Sequence, residues 1–518
     1  MDIIHTATSL AGNMSAFIVI ALLSILVYKL VERQNLQSRA KAFEQKYGAK
    51  PHAPFLKPSD PSGIMMLARI LSANRKHDIL GFFHSLFQHH GSTFMNYTWR
   101  RTTYFTNDPE NIKCALSTRF EDWAIKALRQ EAVKELLGDG IFTTDGAFWA
   151  HSRAMLRPAF EKSKIADLDH FEKHIQPLLS QIPTDGSTVD LQDLYHRLSM
   201  DTSMELLTGQ STDSLEIGTA SRQEADDFIH NFQYGMDDAT VRSRLGRLYF
   251  FLPHLWLKAS KSIGQAHKFV DRYVDRAMKH KAALKAGTST RMKGGFVFLE
   301  ELAQHDEVDA TRIRNETLNV LLAGRDTTAS LLSNMWFMLA RNKEVWKKLQ
   351  DEVDELSGEL PSYETLRDMK YIKYCAQETL RLFPPVPALT KLAVRDTVLP
   401  KGGGDGSSPL FVPKGSVLFY NMHSMMRQQS NFGPDSEEWR PERWSDPSLR
   451  PGWAYLPFGG GPRVCLGQQY ALTETYYVTI RLMQHFRRIE NRDDQPWKEK
   501  LTVTCCSLNG TQVGLYKD

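Results

Sequence analysis

Cysteine is scarce in this 518-residue sequence: Cys114, Cys375, Cys465, Cys505 and Cys506, an odd number and widely spread apart from one adjacent pair. A disulfide-stapled framework is excluded, and free thiols in a reducing compartment are expected. Excess charge is also scarce. The 64 Lys and Arg stand against 60 Asp and Glu, a net charge of +4, too small for a dedicated nucleic-acid protein, so no nucleic-acid partner is expected. No period of 20 to 50 residues recurs, which excludes solenoids and propellers. No flavin or nicotinamide fingerprint occurs. The glycine-rich run Gly402–Gly406 neither follows a strong strand nor opens a helix, so it reads as a loop and not as a phosphate cradle. With 42% hydrophobic and 24% charged residues, the chain is neither disordered nor collagenous and can bury a large core.

One long uncharged run stands out. From Leu10 to Tyr28 there is no charged residue, and roughly 19 residues is about what one helix needs to cross the hydrocarbon core. The competing reading, a cleaved signal peptide, is disfavoured because Asp2 and no Lys or Arg precede the run and no small-x-small site follows it. Lys29, Arg33, Arg39, Lys41, Lys46 and Lys50 lie on the far side, and positive flanks stay cytosolic. The expected organisation is a lumenal N-terminus (1–9), a single transmembrane anchor (10–28), a basic linker (29–62) and a globular domain (63–518). Pro51, Pro54, Pro58 and Pro61 in the linker stop any helix beyond Tyr47 and predict a stiff strap.

The globular part reads as mainly α. Ile165–Ile182, Ala225–Asp238, Gly264–Ala286 and Leu331–Leu356 carry apolar residues at helical spacing. Three short β-like runs, Thr102–Thr106, Ser416–Tyr420 and Leu501–Cys506, predict a small sheet assembled from distant segments.

The most informative segment is FGGGPRVCLG, Phe458 to Gly467, with Phe, Gly, Arg, Cys and Gly spaced F-x-x-G-x-R-x-C-x-G. At average residue usage such a match arises by chance in about one chain in ten thousand. Three glycines and Pro462 force a tight backbone, Gly467 can lie close to a flat ligand, and a helix is expected to start just after Cys465. A cysteine at a helix N-terminus meets the positive end of the dipole and unpaired N–H groups, so a lowered pKa is expected. The plainer alternative is a buried free cysteine in a glycine-rich turn.

This loop resembles the haem-binding loop of the cytochrome P-450 superfamily. The resemblance implies that Cys465 is the axial ligand of a haem b iron, with a thiolate that favours O–O cleavage. It also implies that Phe458 packs beside the sulfur and that Arg463 pairs with a haem propionate. The implied fold is mainly α with small β-sheets, preceded by the transmembrane helix, and the globular domain becomes a haem-thiolate catalytic domain on the cytosolic side of the endoplasmic reticulum membrane.

Other segments extend the likeness. Glu378 and Arg381 in ETLR sit at i, i+3 on one helical face, and PERW supplies Arg443. In the family these three form a structural network, whereas alone the pair is what solvated helices commonly carry. Leu318–Ala340 is an apolar helix interrupted by Gly324, Arg325, Asp326, Thr327 and Thr328. A threonine there can turn its hydroxyl to a backbone carbonyl and open the helix. Asp326-Thr327 resembles the acid–alcohol pair that organises protons for O2 activation, the plainer reading being a buried helix with a packing glycine. Trp149 and Arg153 reproduce the family's W-x-x-x-R, both reaching a propionate. Where relatives commonly place an arginine for a propionate, this chain has Lys391, which keeps the charge and loses the bidentate fork.

The likeness is closest to the fungal alkane and fatty-acid hydroxylase type, which implies a lipophilic substrate entering from the membrane side. WAIKALRQEAV and Lys391 depart from that type and tilt the expectation toward a tailoring step of fungal secondary-metabolite biosynthesis, with terminal hydroxylation of alkanes or fatty acids as the alternative. The implied activity is insertion of one oxygen atom from O2 by C–H hydroxylation or epoxidation. Because no electron-carrier fingerprint is present, NADPH electrons must come through a separate flavoprotein reductase. A haem-thiolate isomerase or dehydratase and a non-enzymatic haem sensor are the remoter readings, and Asp326-Thr327 speaks against both.

Overall fold

Helical periodicity carries through to the computed structural model, which describes residues 2–50, 63–98, 101–245, 249, 251–288, 297–305 and 308–517. The N-terminal stretch is one helix, α1 (Asp2–Tyr47), whose side chains are described from Val19 on. Its apolar residues from Val19 to Val31, among them Ile20, Leu22, Leu23, Ile25, Leu26 and Val27, are exposed. Among the described residues no helix is long and apolar enough to cross a membrane. The first half of the expected span Leu10–Tyr28 lies outside the described side chains, and Pro51, Pro54, Pro58 and Pro61 of the expected strap lie outside the described residues. The last turns of α1 dock on the globular body. Ala40 and Ala49 are buried against Val398 and Phe411, Arg39 pairs with Asp396 at 2.9 Å, and the Lys50 N–H donates to the Pro409 carbonyl at 2.8 Å.

The helices that frame the site are α2 (Lys126–Leu137), α3 (Gly146–Leu156), α4 (Asp169–Ser180), α5 (Leu191–Thr208), α6 (Ala220–Leu245), α7 (Pro253–Lys285), α8 (Ala310–Leu339), α9 (Lys343–Asp354), α10 (Tyr371–Leu382) and α11 (Gln468–His485). The thirty-residue α8 is the axis of the molecule and packs on α5, α7, α10 and α11. Its Trp336 shares a core with Tyr195 and Leu198 of α5 and Ile480 of α11. On the other side Leu318 and Leu321 pack with Met204 of α5 and Val270 of α7. Close approach of α8 to α5 requires Gly324, since a Cβ there would lie 2.7 Å from the Ser203 hydroxyl.

The single helix expected over Leu331–Leu356 is two. It breaks at Ala340–Asn342, where the Asn342 amide donates to the Met338 carbonyl at 2.6 Å. The side chain thus competes with the backbone for a helical acceptor, which favours a turn.

A five-stranded sheet runs in the order β1 (Thr93–Thr98), β2 (Arg101–Thr106), β8 (Val417–Asn421), β5 (Ala388–Ala393), β3 (Trp123–Ala124). Two of the expected strands meet here, β2 lying parallel to β8 with Phe105 beside Phe419. Smaller sheets join β4 (Asp185–Asp190), β12 (Gln512–Tyr516) and β9 (Arg488–Asn491), and pair β6 (Thr397–Gly403) with β7 (Ser408–Val412). The Gly402–Gly406 run turns that last hairpin, where a Cβ on Gly403 would strike the Pro409 carbonyl at 2.2 Å. The third expected strand, Leu501–Cys506, is divided. β10 (Glu499–Leu501) and β11 (Cys505–Ser507) form a hairpin whose turn bonds the Thr502 N–H to the Thr504 carbonyl at 3.0 Å. Contacts far along the chain override local propensity there: the Cys505 N–H donates to the Pro385 carbonyl at 2.9 Å, and the Ser330 hydroxyl donates to the Cys505 carbonyl at 2.5 Å.

Candidate active site

The loop from Leu456 to Gly467 is a series of tight turns. The Gly459 N–H donates to the Leu456 carbonyl at 3.2 Å, the Val464 N–H to the Gly461 carbonyl at 3.1 Å, and the Cys465 N–H to the Phe458 carbonyl at 3.0 Å. Gly461 adopts φ +67°, and a Cβ on it would lie 1.9 Å from the Leu116 carbonyl oxygen, so glycine is obligatory on two counts. Phe458 is half-buried and Gly467 forms the N-cap of α11. The Cys465 side chain is exposed. The Gly467 N–H and the Arg153 guanidinium favour its thiolate, but burial outweighs both and pushes the thiol pKa up. The expectation of a lowered pKa from the helix N-terminus is reversed: desolvation wins.

A cluster of cations stands beside this loop. Arg463 pairs with Asp145 at 2.7 Å, donates to the Thr144 carbonyl at 2.7 Å and lies 4.3 Å over the Trp149 ring. Lys391 is buried, donates to the Ala115 carbonyl at 3.0 Å and lies 4.8 Å from the Phe120 ring centroid. That ring in turn packs on Trp149 at 5.6 Å. Burial, helped by the neighbouring Arg463 and Arg129 charges, pushes the Lys391 pKa down to about 7. Burial likewise lowers Arg463 to about 10 and lowers Arg129 and Arg153. Arg463, Lys391 and Arg129 therefore share one named carboxylate, Asp145, while Arg153 acts on Cys465.

Glu378, Arg381 and Arg443 also come together. Glu378 and Arg381 are fully buried, paired at 2.8 Å, and Arg443 reaches Glu378 at 3.2 Å. The remaining Arg381 donors go to the carbonyls of Met426, Ser436 and Glu438. Across the molecule, α8 is buried at every position from Asn315 to Phe337 except Ala323, Gly324 and Thr327. At positions i, i+1 and i+4 these form one face. The Thr327 hydroxyl donates to the Ala323 carbonyl at 2.5 Å, while Asp326 is buried on another side, paired with Arg325 at 2.9 Å.

The sequence model of the Cytochrome P450 family matches residues 58–510. The chain belongs to the cytochrome P450 family. It is 44% identical to "Cytochrome P450 monooxygenase himC" of Aspergillus japonicus, over 88% of this chain and 81% of that one. It is 40% identical to "Cytochrome P450 monooxygenase fsdH" of Fusarium heterosporum over 100% and 93%, and 40% identical to "Cytochrome P450 52A1" of Candida tropicalis over 79% and 78%. In three dimensions it resembles the cytochrome P450DA haem domain with a TM-score of 0.75 at 20% identity, covering 91% of this chain and 98% of the other. That likeness establishes the P450 fold, and the sequence relatives establish an enzyme of the P450 monooxygenase class.

The residues of this P450 fit the family's haem. Among the described residues no group of three His, Cys, Asp or Glu side chains can hold a bare metal ion. A metal met by the Cys465 thiol alone must bring its other ligands with it, as a porphyrin does. The surplus of cations beside the loop matches a ligand with carboxylates. Arg129 and Asp145 were not evident in the sequence, because an arginine on an amphipathic helix and an aspartate before a helix carry no distinguishing signal.

Proposed function

We propose that this P450 is a membrane-anchored haem-thiolate monooxygenase of a lipophilic small molecule, serving as a tailoring enzyme of fungal secondary metabolism. The observation that carries the haem-thiolate reading is Cys465, fixed by its N–H to the Phe458 carbonyl and accessible beside a surplus of cations. When bound, haem with an axial thiolate supplies O2 activation and transfer of one oxygen atom to a C–H or C=C bond, with NADPH electrons from a separate flavoprotein reductase. Cys465 would be the ligand, and the Gly467 N–H would temper the charge on its sulfur. Arg463, Arg153, Trp149 and Lys391 would hold the haem carboxylates, with Arg129 adding to the field, and Phe458 and Gly467 would pack against the group. Glu378, Arg381 and Arg443 hold the loop's surroundings and do no chemistry.

Thr327, whose hydroxyl donates to the Ala323 carbonyl on the half-buried face of α8, would receive protons from Asp326 once that neighbouring carboxylate is protonated. Terminal hydroxylation of alkanes or fatty acids is the second reading, favoured by the likeness to Cytochrome P450 52A1. The exposed apolar run from Val19 to Val31, followed by basic residues, supports a single-pass anchor at 10–28 in the endoplasmic reticulum, with 1–9 lumenal, 29–62 a linker and 63–518 cytosolic. Exposed Phe251 and Leu257 support substrate entry from the membrane side.

The difference spectrum of the reduced, carbon-monoxide-bound protein tests the ligand. A thiolate-type band is expected, and Cys465→Ala abolishes it while far-UV circular dichroism keeps its helical form. A thiolate-type band surviving in Cys465→Ala, or none in haem-loaded wild type, overturns the reading.

A further inference from the structure

Asp326 has an unexplained neighbour. Its carboxylate is buried at 9% exposure, pairs with Arg325 at 2.9 Å and lies 3.8 Å from Nδ1 of His196 on α5. That separation exceeds a hydrogen bond by less than 1 Å. His196 Nδ1 is itself buried and has no hydrogen-bond partner, as is Nε of Arg325. Unpartnered buried nitrogens are rare in folded chains because each forfeits its hydration. The His196 side chain is nevertheless 23% exposed, so its opening to solvent lies on the edge away from Nδ1.

The charged groups around the ring come from three elements: Asp193 on α5, Arg325 and Asp326 on α8, and Lys500 on β10. The charges of Lys500, Asp326, Asp190 and Arg325 also act on Cys506 of β11. Asp193 and Lys500 are exposed. The exposed Asp193 and Lys500 charges thus act on His196 from the solvent side, and Asp326, one residue from Thr327, lies 3.8 Å from its Nδ1. Burial first, then Arg325, holds the imidazole pKa down to about 4. The ring is neutral at physiological pH, with one nitrogen donating and the other accepting, the state in which an imidazole can pass a proton through.

We propose that His196 is the positioning residue that relays solvent protons to Asp326. The ring takes a proton at Nε2 from the solvent side as Nδ1–H gives one to the Asp326 carboxylate, so one proton enters and one leaves. The starting tautomer returns when Nε2–H releases its proton to solvent and Nδ1, turned outward by a flip of the ring, takes one from water in its place. The protonated Asp326 carboxyl is released from Arg325 and turns toward Thr327. This rests on the monooxygenase reading above.

The test uses full-length haem-loaded protein with reductase and NADPH, without added substrate, following NADPH consumption and peroxide release from pH 6 to 9. His196→Gln keeps hydrogen bonding but cannot relay, and roughly 10- to 100-fold slower NADPH consumption with a larger solvent deuterium isotope effect is expected. A merely structural role would slow turnover without enlarging the solvent isotope effect. Each variant must show the wild-type reduced carbon-monoxide band. If His196→Gln misfolds, 15N-histidine NMR of wild type and Asp326→Asn decides. The His196 titration moves to lower pH in Asp326→Asn if the two groups interact, and stays in place if they do not. Wild-type rates and isotope effects in His196→Gln, or an unmoved titration, overturn the relay. A missing thiolate band in wild type overturns the monooxygenase reading instead.

Discussion

Replacing Glu378 by glutamine changes no volume and removes one charge, so it isolates what that charge does. In the wild type one carboxylate serves four donors besides Arg443: Arg381 Nε at 2.9 Å and Nη2 at 2.8 Å, the Arg440 N–H at 3.0 Å and the Trp444 indole at 3.0 Å. Glu378 and Arg381 are inaccessible and Arg443 nearly so. The amide keeps one acceptor oxygen and turns its NH2 toward donors, leaving Arg381 uncompensated and Arg443 with Asp435 at 2.7 Å as its partner. Breaking a buried pair by removing one partner costs about 3–5 kcal/mol, roughly a 150- to 4,000-fold rise in the unfolded-to-folded ratio. The control is Asp354→Asn, which breaks the Arg487 pair at 2.6 Å, where both side chains are more than 40% exposed. Exposed pairs contribute about 0–1 kcal/mol. Urea denaturation followed by circular dichroism measures both, and the reduced carbon-monoxide band reports whether the loop survives. A Glu378→Gln loss no larger than that of Asp354→Asn would refute the argument that burial makes this network structural.

Two other outcomes follow from the site. Thr327→Ala removes the hydroxyl that lies on the half-buried face of α8, and NADPH consumption with peroxide release in place of product is expected; unchanged coupling moves the relay to Thr328. Lys391, held down to about 7 against an ordinary 10.5, gives the haem-free protein a definite pH dependence. Between those values the unfolded chain binds more protons than the folded one, so stability rises with pH through that window, and the full penalty is present below about pH 7. Urea midpoints from pH 6.5 to 9.5 should climb in wild type and stay flatter in Lys391→Met. Haem loading should flatten the wild-type slope as carboxylates restore the lysine's charge.

Legibility followed sequence distance. The Cys465 loop was readable because its turns are local, with Gly459 and Gly461 at positive φ, whereas the approach of Gly461 to the Leu116 carbonyl was not. Glu378 and Arg381 were readable as a pair because they share a helical face, but their closure by the carbonyls of Met426, Ser436 and Glu438 depends on a coil with no periodicity. Thr327 was readable through the notch in an apolar helix. The orientation of Asp326 away from the half-buried face was not, since it is set by α5. His196 left no trace, because one histidine among Tyr195, Arg197 and Leu198 looks like any amphipathic helix. Leu501–Cys506 misled for the same reason in reverse: its β propensity is genuine, but Pro385 and Ser330 decide where the strand is broken.

The thiol itself shows how competing local effects are settled by packing. A helix N-terminus and Arg153 both favour Cys465 as a thiolate, and an argument from sequence stops there. The folded surroundings desolvate the sulfur, and the net displacement is upward. A thiol so held gives up its proton when it binds a cation, since the metal's charge supplies what desolvation withholds. The loop's task is therefore positional. Gly461 brings the backbone against Leu116, the Phe458 carbonyl fixes the Cys465 N–H, and Gly467 starts α11 at the sulfur. A Cβ at Gly461 would then cost the ligand its place without touching its chemistry, whereas removing Arg153 would alter the charge felt by the sulfur without moving it.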